Sequence, residues 1–284
     1  LKITPIPSIN HLSPPPALPL SSPEMVLSLR AHGCERVFIT VHGVGGEDGV
    51  VQAAMELQCI AYTGSGVAAS AIKMDKVAAK RLWLAEKLPT ADFCVLENEA
   101  DAKAAAKALG YPFVIKPSSE GSSVGVTIVK TPAQVAPAFK LARGSGRAVM
   151  AERFIKGAEM TVAVLSGEAL PSIRIEPDGE FYDYHAKYIS NNTRYHCPAG
   201  LDAAHEKHLQ QIWVRAFELI GCEDWGRVDF MMEAQGQPWR VGVNTLTGMT
   251  SHSVVPMSAK ASVMSYADLC LALLERTLGE ADGR

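Results

Sequence analysis

Residues 225–244 carry polar side chains at a spacing that could hold a divalent cation beside a phosphate group. The segment is rich in strand-forming residues and contains the turn sequence Ala-Gln-Gly-Gln, which predicts a β-hairpin. Folding the hairpin about that turn places position 242 opposite Asp229. Arg227 and Asn244 then lie on the same face, because side chains alternate along a strand. Carboxylate and amide oxygens suit Mg²⁺, which usually keeps several waters and substrate phosphates.

Two features of this hairpin leave its function open. A surface ion pair between Arg227 and Asp229, worth under ~1 kcal/mol, is the alternative when the hairpin is taken alone. The same alternation also predicts that residues 240, 242 and 244 face one way. Position 242 is a glycine, so that face has a gap between Arg240 and Asn244.

Lys116 precedes a loop that could close around an anion. It ends a run of apolar residues typical of a strand, and residues 118–125 are mostly serine and glycine, whose N–H groups can converge on an anion. The arrangement suits nucleotide phosphates, although the Gly-Lys-Ser/Thr order of a Walker A loop is missing. A polar hairpin loop with a solvated lysine is the alternative.

Two glycine turns carry further candidates. His42 follows a predicted strand, and strand ends in open α/β sheets are where ligands bind. A structural role for His42 is the alternative, as is simple capping of the next helix by Glu47 and Asp48. Gly248 precedes a predicted helix start, whose free N–H groups can hold an oxyanion or a carboxylate. Ser251 and Ser253 provide hydroxyls nearby. Helix capping by Thr250 or Ser251 is the alternative.

Residues 181–200 contain four tyrosines and Lys187 in a stretch too polar for a core. An irregular loop of this length is uncommon unless it is a functional lid or disordered. Lys187 and Tyr188 would reach a substrate if the loop closed.

The elements that must position these groups alternate at the front of the chain and become antiparallel later. Helix, short strand and glycine turn follow one another over residues 50–66, which indicates a parallel α/β layer. A strand is predicted at 35–43, a helix at 68–87, two strands at 113–130 and a helical tail at 258–279. The predicted fold class is therefore α/β at the front, mixed α+β in the middle and an antiparallel sheet at the end.

Composition narrows the class of protein. The 284 residues are 48% hydrophobic and 20% charged with a net charge of −3, which gives no reason to expect nucleic acid or an anionic membrane as partner. The six scattered cysteines indicate reduced thiols in a cytoplasmic protein. No apolar run reaches the ~18 residues of a membrane helix, and a secretory signal is not expected. Seven of the 17 prolines fall within the first 23 residues, so residues 1–21 are expected to form a poorly ordered arm.

Taken in order, several motifs resemble the D-alanine–D-alanine ligases of the ATP-grasp superfamily. They are HGVGGEDG, YTGSG, MDK, KPSSEGSSVG, FYDYHAKY, CPAG, WGRVDFM and NTLTGMTSHS. The resemblance implies an incomplete N-terminal α/β domain at 22–64, a central domain at 65–152 and a C-terminal domain at 153–284. It implies ATP bound between the last two, two Mg²⁺ ions (or Mn²⁺), and a homodimer. It also implies joining of two D-alanine molecules through an acyl phosphate, for peptidoglycan precursor synthesis.

The resemblance also assigns roles to single residues, matched by position. Lys76, Lys116 and Lys187 would bind ATP phosphates, with Ser122 and Ser123 in the loop over them and Ser122 also placing substrate. Glu152 would bind the ribose, with Arg153 and Ile155 beside the adenine. Arg227 and the Gly248 N–H would stabilise the oxyanion, and Asp229 and Asn244 would bind Mg²⁺. Ser253 would hold the second D-alanine and His42 would lie near the first. Tyr188 would lie on the closing loop.

The chain departs from the family pattern at several positions. Gly242 stands where the family has a glutamate that bridges two Mg²⁺ ions, and Glu233 is expected to lie too far away to replace it. Thr247 stands for a proline, His185 for a glutamate and Val44 for a longer polar residue. The family's front strand and its glutamate for the first D-alanine have no counterpart in the proline-rich start.

These departures predict turnover below that of an intact enzyme, which leaves a degenerate, non-catalytic ATP-binding homologue as the alternative. An ATP-grasp ligase for another carboxylate–amine pair is a weaker option.

Overall fold

The computed structural model describes residues 27–278, apart from 30, 32, 120–123, 147, 178–192 and 251–252. The proline-rich arm expected at 1–21 lies outside these residues. Three sheets, each with its own helices, follow one another along the described chain. Their order matches the predicted change from α/β to antiparallel structure.

The first sheet is small and parallel. It pairs β1 (Arg36–Val37) with β2 (Ala61–Tyr62), and α1 (Val50–Leu57) connects the two. The prediction of a strand over 35–43 is therefore confirmed only at two residues. The parallel pairing agrees with the predicted α/β layer, since parallel strands need a crossover connection.

The stretch predicted as one helix at 68–87 is two helices, α2 (Val67–Met74) and α3 (Lys76–Ala85). They meet at Asp75, whose backbone is extended with φ −88° and ψ 99°. Its side chain accepts from the N–H groups of Val77 and Ala78, so Asp75 caps α3. The break places the beginning of a helix at Lys76, whose own N–H donates to the Ser118 carbonyl.

The second sheet has four antiparallel strands in the order β3-β6-β4-β5. Two helices and a 3₁₀ turn accompany it, and alanines on the helices pack against strand residues such as Phe113 and Ile115. The elements are β3 (Phe93–Leu96), α4 (Glu99–Leu109), β4 (Phe113–Pro117), β5 (Thr127–Val129), the 3₁₀ turn Pro132–Gln134, α5 (Val135–Ser145) and β6 (Val149–Arg153). The two strands predicted at 113–130 are confirmed as β4 and β5.

The third sheet has six strands in the order β10-β9-β7-β11-β12, with β8 beside β7. Trp213 and Phe217 of α6 pack on one face with Trp83 of α3, so a shared core connects this sheet to the central helices. The elements are β7 (Ala158–Leu165), β8 (Glu168–Ala169), β9 (Ile173–Glu176), β10 (Arg194–His196), α6 (Ala203–Leu219), β11 (Trp225–Met232), β12 (Pro238–Asn244), α7 (Val254–Ala261) and α8 (Tyr266–Arg276).

The β11–β12 hairpin confirms part of the predicted register and contradicts another part. Asp229 pairs with Gly242 and Arg227 with Asn244, as predicted. The register then shifts, and Arg240 pairs with Phe230. The prediction that residue 240 shares the face of 242 and 244 is wrong, because the extra residue Val241 forms a β-bulge that reverses the alternation. Arg240 is consequently 2% exposed and lies over the Trp83 ring in the core.

Within the described part of the chain, no single helix is both long and apolar enough to cross a membrane. The pair α7 and α8 meets the length and composition criteria together, but the two helices are bent by 108°. Both helices contribute to a core shared with the first sheet, through Val255, Ala259, Leu269 and Leu273.

Candidate active site

The polar face of the β11–β12 hairpin forms a small hydrogen-bonded group. Asp229 Oδ2 accepts a hydrogen bond from Asn244 Nδ2 at 2.9 Å and lies 3.4 Å from Arg227 Nη2. The side chains of Arg227 and Asp229 are 20% and 17% exposed, so their ion pair is half-buried and not a solvated surface pair. Asp229 Oδ1 is buried without a hydrogen-bond partner among the described residues, which leaves one carboxylate oxygen available to a ligand.

This donor set fits one hydrated Mg²⁺ carried with a phosphate. Asp229 and Asn244 supply oxygens, and Mg²⁺ commonly takes one or two carboxylates plus waters and substrate phosphates. No group of three or more His, Cys, Asp or Glu side chains in the described ranges could hold a metal ion, so the protein does not form a cage of its own there. A Cβ built on Gly242 would meet nothing within 4 Å, which shows space where a second carboxylate could stand.

Two of the three lysines predicted to bind phosphates approach the same end of β4. Lys116 is on β4 itself and is 6% exposed. Lys76 begins α3, and its Nζ donates to the carbonyl of Ser118 at 3.3 Å. Asp75 accepts from Ser118 Oγ at 2.5 Å, which ties the helix start to the strand end across 43 residues of sequence. The structure therefore brings together two cations that the sequence leaves 40 positions apart.

Glu152 lies in a buried cluster with Lys116 and a lysine that the sequence analysis missed. Glu152 Oε1 accepts from Lys116 Nζ at 2.8 Å, and Oε2 lies 2.7 Å from Lys80 Nζ. Burial alone would raise the pKa of Glu152, but the two ammonium groups lower it to about 2. Burial lowers the pKa of Lys80 to about 8 against the opposing attraction of Glu152. The sequence signal for Lys80 was its position one helical turn after Lys76.

The ribose role of Glu152 stays a prediction, and both of its oxygens already contact lysines. Beside it, Arg153 stacks on Trp239 with its guanidinium carbon 4.4 Å from the ring centroid. Glu233 accepts from Trp239 Nε1 at 2.9 Å and lies 3.4 Å from Arg153 Nη1. Ile155, the other predicted neighbour of the adenine, is 7% exposed. These contacts join the central sheet to the hairpin on the face that carries Asp229.

The loop after His42 is held by a buried ion pair. Glu47 Oε1 lies 2.8 Å from Lys73 Nζ, with side chains 9% and 4% exposed, and Oε2 accepts from the Gly43 N–H at 2.7 Å. Asp48 accepts from the N–H of Val50, the first residue of α1. Asp48 thus accepts from the first N–H of the helix, as in the capping alternative, although the N-cap residue itself is Gly49. Glu47 instead points inward to Lys73. His42 itself is exposed at the edge of this loop.

Gly248 and Ser253, both predicted to handle carboxylate or oxyanion oxygens, touch each other. A Cβ on Gly248 would come within 2.5 Å of Ser253 Oγ, so a larger residue at 248 would displace the Ser253 hydroxyl. Ser253 is the N-cap residue of α7, but its hydroxyl makes no capping bond to that helix. Instead Ser253 Oγ accepts from the Thr250 N–H at 3.1 Å. The hydroxyl belongs to the residue that precedes the helix, next to first-turn N–H groups that have no partner within the helix.

Comparison with known proteins decides the family. The family model described as the D-ala D-ala ligase C-terminus matches residues 82–275. The chain is 47% identical over 248 residues to the D-alanine–D-alanine ligase of Laribacter hongkongensis, covering 87% of this chain and 80% of that one. It is also 47% identical over 252 residues to that of Bordetella avium, covering 87% and 79%. The chain belongs to the D-alanine–D-alanine ligase family.

Solved structures of such ligases share the fold. The D-alanine–D-alanine ligase of Bacillus anthracis superposes with a TM-score of 0.81 at 33% identity, covering 91% of this chain and 84% of that one. The VanG D-Ala:D-Ser ligase of Enterococcus faecalis gives 0.77 at 32% identity, covering 87% and 73%. The predicted ATP-grasp fold is confirmed, including mixed helices and sheets around the cleft.

Several ligase positions named from the sequence fall outside the described residues. They are Ser122 and Ser123 in the glycine-rich loop, His185, Lys187 and Tyr188 in the predicted lid, and Ser251 before α7. Their roles stay predictions. The described part of the candidate site therefore comprises the lysine cluster around Glu152, the polar face of the hairpin, and Gly248 with Ser253.

Proposed function

We propose that this chain joins two D-alanine molecules to D-alanyl-D-alanine at the expense of ATP, for peptidoglycan precursor synthesis. One observation carries the proposal: Arg153 of the central sheet packs on Trp239, which shares a hairpin face with Asp229. The lysine-rich strand ends and the acidic hairpin thus border one cleft. The relative from B. anthracis whose structure was solved with ATP has the same fold at 30% identity, which supports a nucleotide in that cleft.

In the first step, a carboxylate oxygen of one D-alanine attacks the γ-phosphorus and ADP leaves, giving an acyl phosphate. The protein's part is positioning and charge neutralisation, because phosphoryl transfer needs little covalent help. Lys76 and Lys116 balance the negative charge of the phosphates. Bound Mg²⁺ would supply further neutralisation of the β- and γ-oxygens, held by Asp229 and Asn244.

In the second step, the amine of the second D-alanine attacks the acyl carbon and phosphate leaves. Arg227 and the Gly248 N–H offer positive charge and a donor to the oxyanion of the tetrahedral intermediate. The Ser253 hydroxyl holds the carboxylate of the attacking D-alanine. The exposed edge at His42 is assigned to the first D-alanine.

We further propose the finer features that the resemblance implies. The domain boundaries at 65 and 153, a homodimer and a cytoplasmic location belong to this proposal. A single phosphate-borne Mg²⁺ suits the described side chains, whereas a second ion would need the carboxylate that Gly242 lacks.

The test is release of phosphate from ATP with D-alanine as sole amino acid, measured with and without Mg²⁺, together with chromatographic detection of the dipeptide. D-Serine and glycine form the comparison panel for the carboxylate–amine pair. Mg²⁺-dependent dipeptide formation supports the proposal. ATP binding by calorimetry without any phosphate release would instead support the degenerate ATP-binding homologue.

A further inference from the structure

Lys80 is a buried ammonium group to which the reaction above gives no task. Its side chain is 3% exposed, and Nζ lies 2.7 Å from Glu152 Oε2. Nζ donates to Thr90 Oγ1 at 2.7 Å and lies 5.3 Å from the centroid of the Phe93 ring. An unpaired ammonium is unfavourable in a protein interior, and this one is held at a defined position by its carboxylate and hydroxyl partners.

Glu152 connects Lys80 to Lys116. Its Oε1 accepts from Lys116 at 2.8 Å while Oε2 is in ion-pair contact with Lys80. The terminal torsion of a glutamate is broad, so a carboxylate held at one oxygen can rotate. With a cation on each oxygen, the carboxylate plane is defined and Oε1 is directed at Lys116.

Helix α3 connects the Lys80–Glu152 contact to the end of β4 that is proposed to bind phosphate. Lys76 and Lys80 are four residues apart and therefore on one face of the helix. At the first turn, the Lys76 N–H donates to the Ser118 carbonyl at 3.0 Å. At the next turn, Lys80 holds Glu152. The Lys76–Ser118 and Lys80–Glu152 contacts, one helical turn apart, thus fix the position of Lys76 relative to Lys116.

We propose that Lys80 is a positioning residue that, by holding Glu152, orients the Lys116 ammonium towards the phosphates of the nucleotide. The inference rests on the ATP-dependent function proposed above. In this proposal both Glu152 oxygens stay with the lysines and the ribose is not held by Glu152. Since Lys116 acts on phosphates and not on the nucleoside, loss of Lys80 should weaken binding of ATP and leave binding of adenosine unchanged. A residue that merely stabilised the fold would affect both ligands alike.

The experiment compares dissociation constants for Mg-ATP, by calorimetry, and for adenosine, by ligand-observed NMR. Lys80→Met removes the charge and keeps the chain length, Lys80→Arg keeps the charge, and Lys107→Met is the control on an exposed lysine of α4. We expect Lys80→Met to raise the ATP dissociation constant about 10-fold or more, by analogy with the loss of groups that orient metal ligands. Adenosine should change by less than about 2-fold, Lys80→Arg should recover part of the loss, and Lys107→Met should match the parent.

Thr90→Val provides a milder variant should Lys80→Met not fold. It removes the hydroxyl that anchors Nζ, and a smaller loss of ATP affinity in the same direction is expected. Unchanged ATP affinity in the folded variants, or an equal loss for ATP and adenosine, would overturn the role of Lys80. If the parent protein does not bind Mg-ATP, the proposed function itself is wrong. That outcome is distinguishable from a failure of the Lys80 role, which requires a parent protein that binds Mg-ATP.

Discussion

Asp229 and Gly242 face each other across the β11–β12 hairpin, and only Asp229 brings an acidic side chain to that pair. Its Oδ1 has no hydrogen-bond partner in the described part of the chain, while Oδ2 is bound by Asn244. A divalent cation bridging two positions needs negative charge at both. The proposed metal site therefore lacks a second carboxylate at position 242.

Replacing Gly242 with Glu should raise the rate of D-alanine-dependent phosphate release. The added side chain has open space, since a Cβ there meets nothing within 4 Å. Groups that only orient metal ligands are worth about 10–100-fold, so a direct carboxylate ligand should give at least a 10-fold gain. Gly242→Gln, of equal size but uncharged, is the matched control. Equal rates for the Glu and Gln variants would show that charge at this position is not what the site lacks.

Protonation of Glu152 should destabilise the fold in acid. Its pKa is lowered from 4.5 to about 2 in the folded protein, so the folded state binds fewer protons than the unfolded state between those values. The stabilisation is present in full above pH 4.5 and is lost as pH falls towards 2; about 2 kcal/mol should disappear between pH 6 and pH 3.

Urea unfolding at the two pH values measures that loss, and the Glu152→Gln variant should lack it. Other carboxylates also titrate over this range, so the comparison uses the difference between parent and variant. A parent and variant with parallel pH dependence would contradict the assignment of Glu152 as the responsible group.

Among the secondary-structure elements, β12 buries a charged residue that the alternation of a regular strand would place on the polar face. The bulge at Val241 turns Arg240 into the core, where its three guanidinium nitrogens have no hydrogen-bond partner among the described residues. Burial lowers the pKa of Arg240 well below its usual value, although Glu152 opposes the shift. Stacking on Trp83 returns about 2 kcal/mol, which is less than the several kcal/mol lost on burying the charge.

Replacing Arg240 with Met should therefore stabilise the protein by about 1–4 kcal/mol, because it removes a buried charge and keeps a long flexible side chain. The thermal midpoint would rise by roughly 2–4 °C for each kcal/mol. Arg81→Met, at an exposed position of α3, is the control and should change little. A lower midpoint for Arg240→Met would mean that the guanidinium has a partner that offsets its burial.

At the scale of the whole molecule, helices α2 and α3 share a core with the C-terminal sheet, and the central sheet meets that sheet through polar contacts. Trp83 of α3 packs with Trp213 and Phe230, and on the cleft side Arg153 meets Trp239 and Glu233. A ligand that contacts both sheets should therefore stabilise the chain as a unit. Nucleotide between the lysine cluster and Asp229 would be such a ligand.

Mg-ATP at about 100 times its dissociation constant should add about 2.7 kcal/mol to the free energy of unfolding, a rise of roughly 5–10 °C in the thermal midpoint. Thermal shift with ATP and Mg²⁺, against ATP with a chelator, measures the effect. Asp229→Asn should reduce the Mg²⁺-dependent part. A midpoint that does not respond to Mg-ATP in the parent would argue against nucleotide binding in this cleft.

By itself, the sequence determined the features that depend on neighbours along the chain. The Gln-Gly turn predicts the hairpin, and the ordered motifs identify the family and name most of the candidate site residues. The pairing of Asp229 with Gly242 itself depends on the bulge at Val241, because the register beside the turn would place Val241 there. The remaining features of the site were decided by the tertiary structure, because they are contacts between segments that are distant in sequence. Lys80 and Glu152 meet across 72 positions of sequence, and Glu47 turns inward to Lys73 because that lysine is buried beside it. A one-residue bulge sends Arg240 into the core, since the alternation of a strand holds only while its pairing is regular.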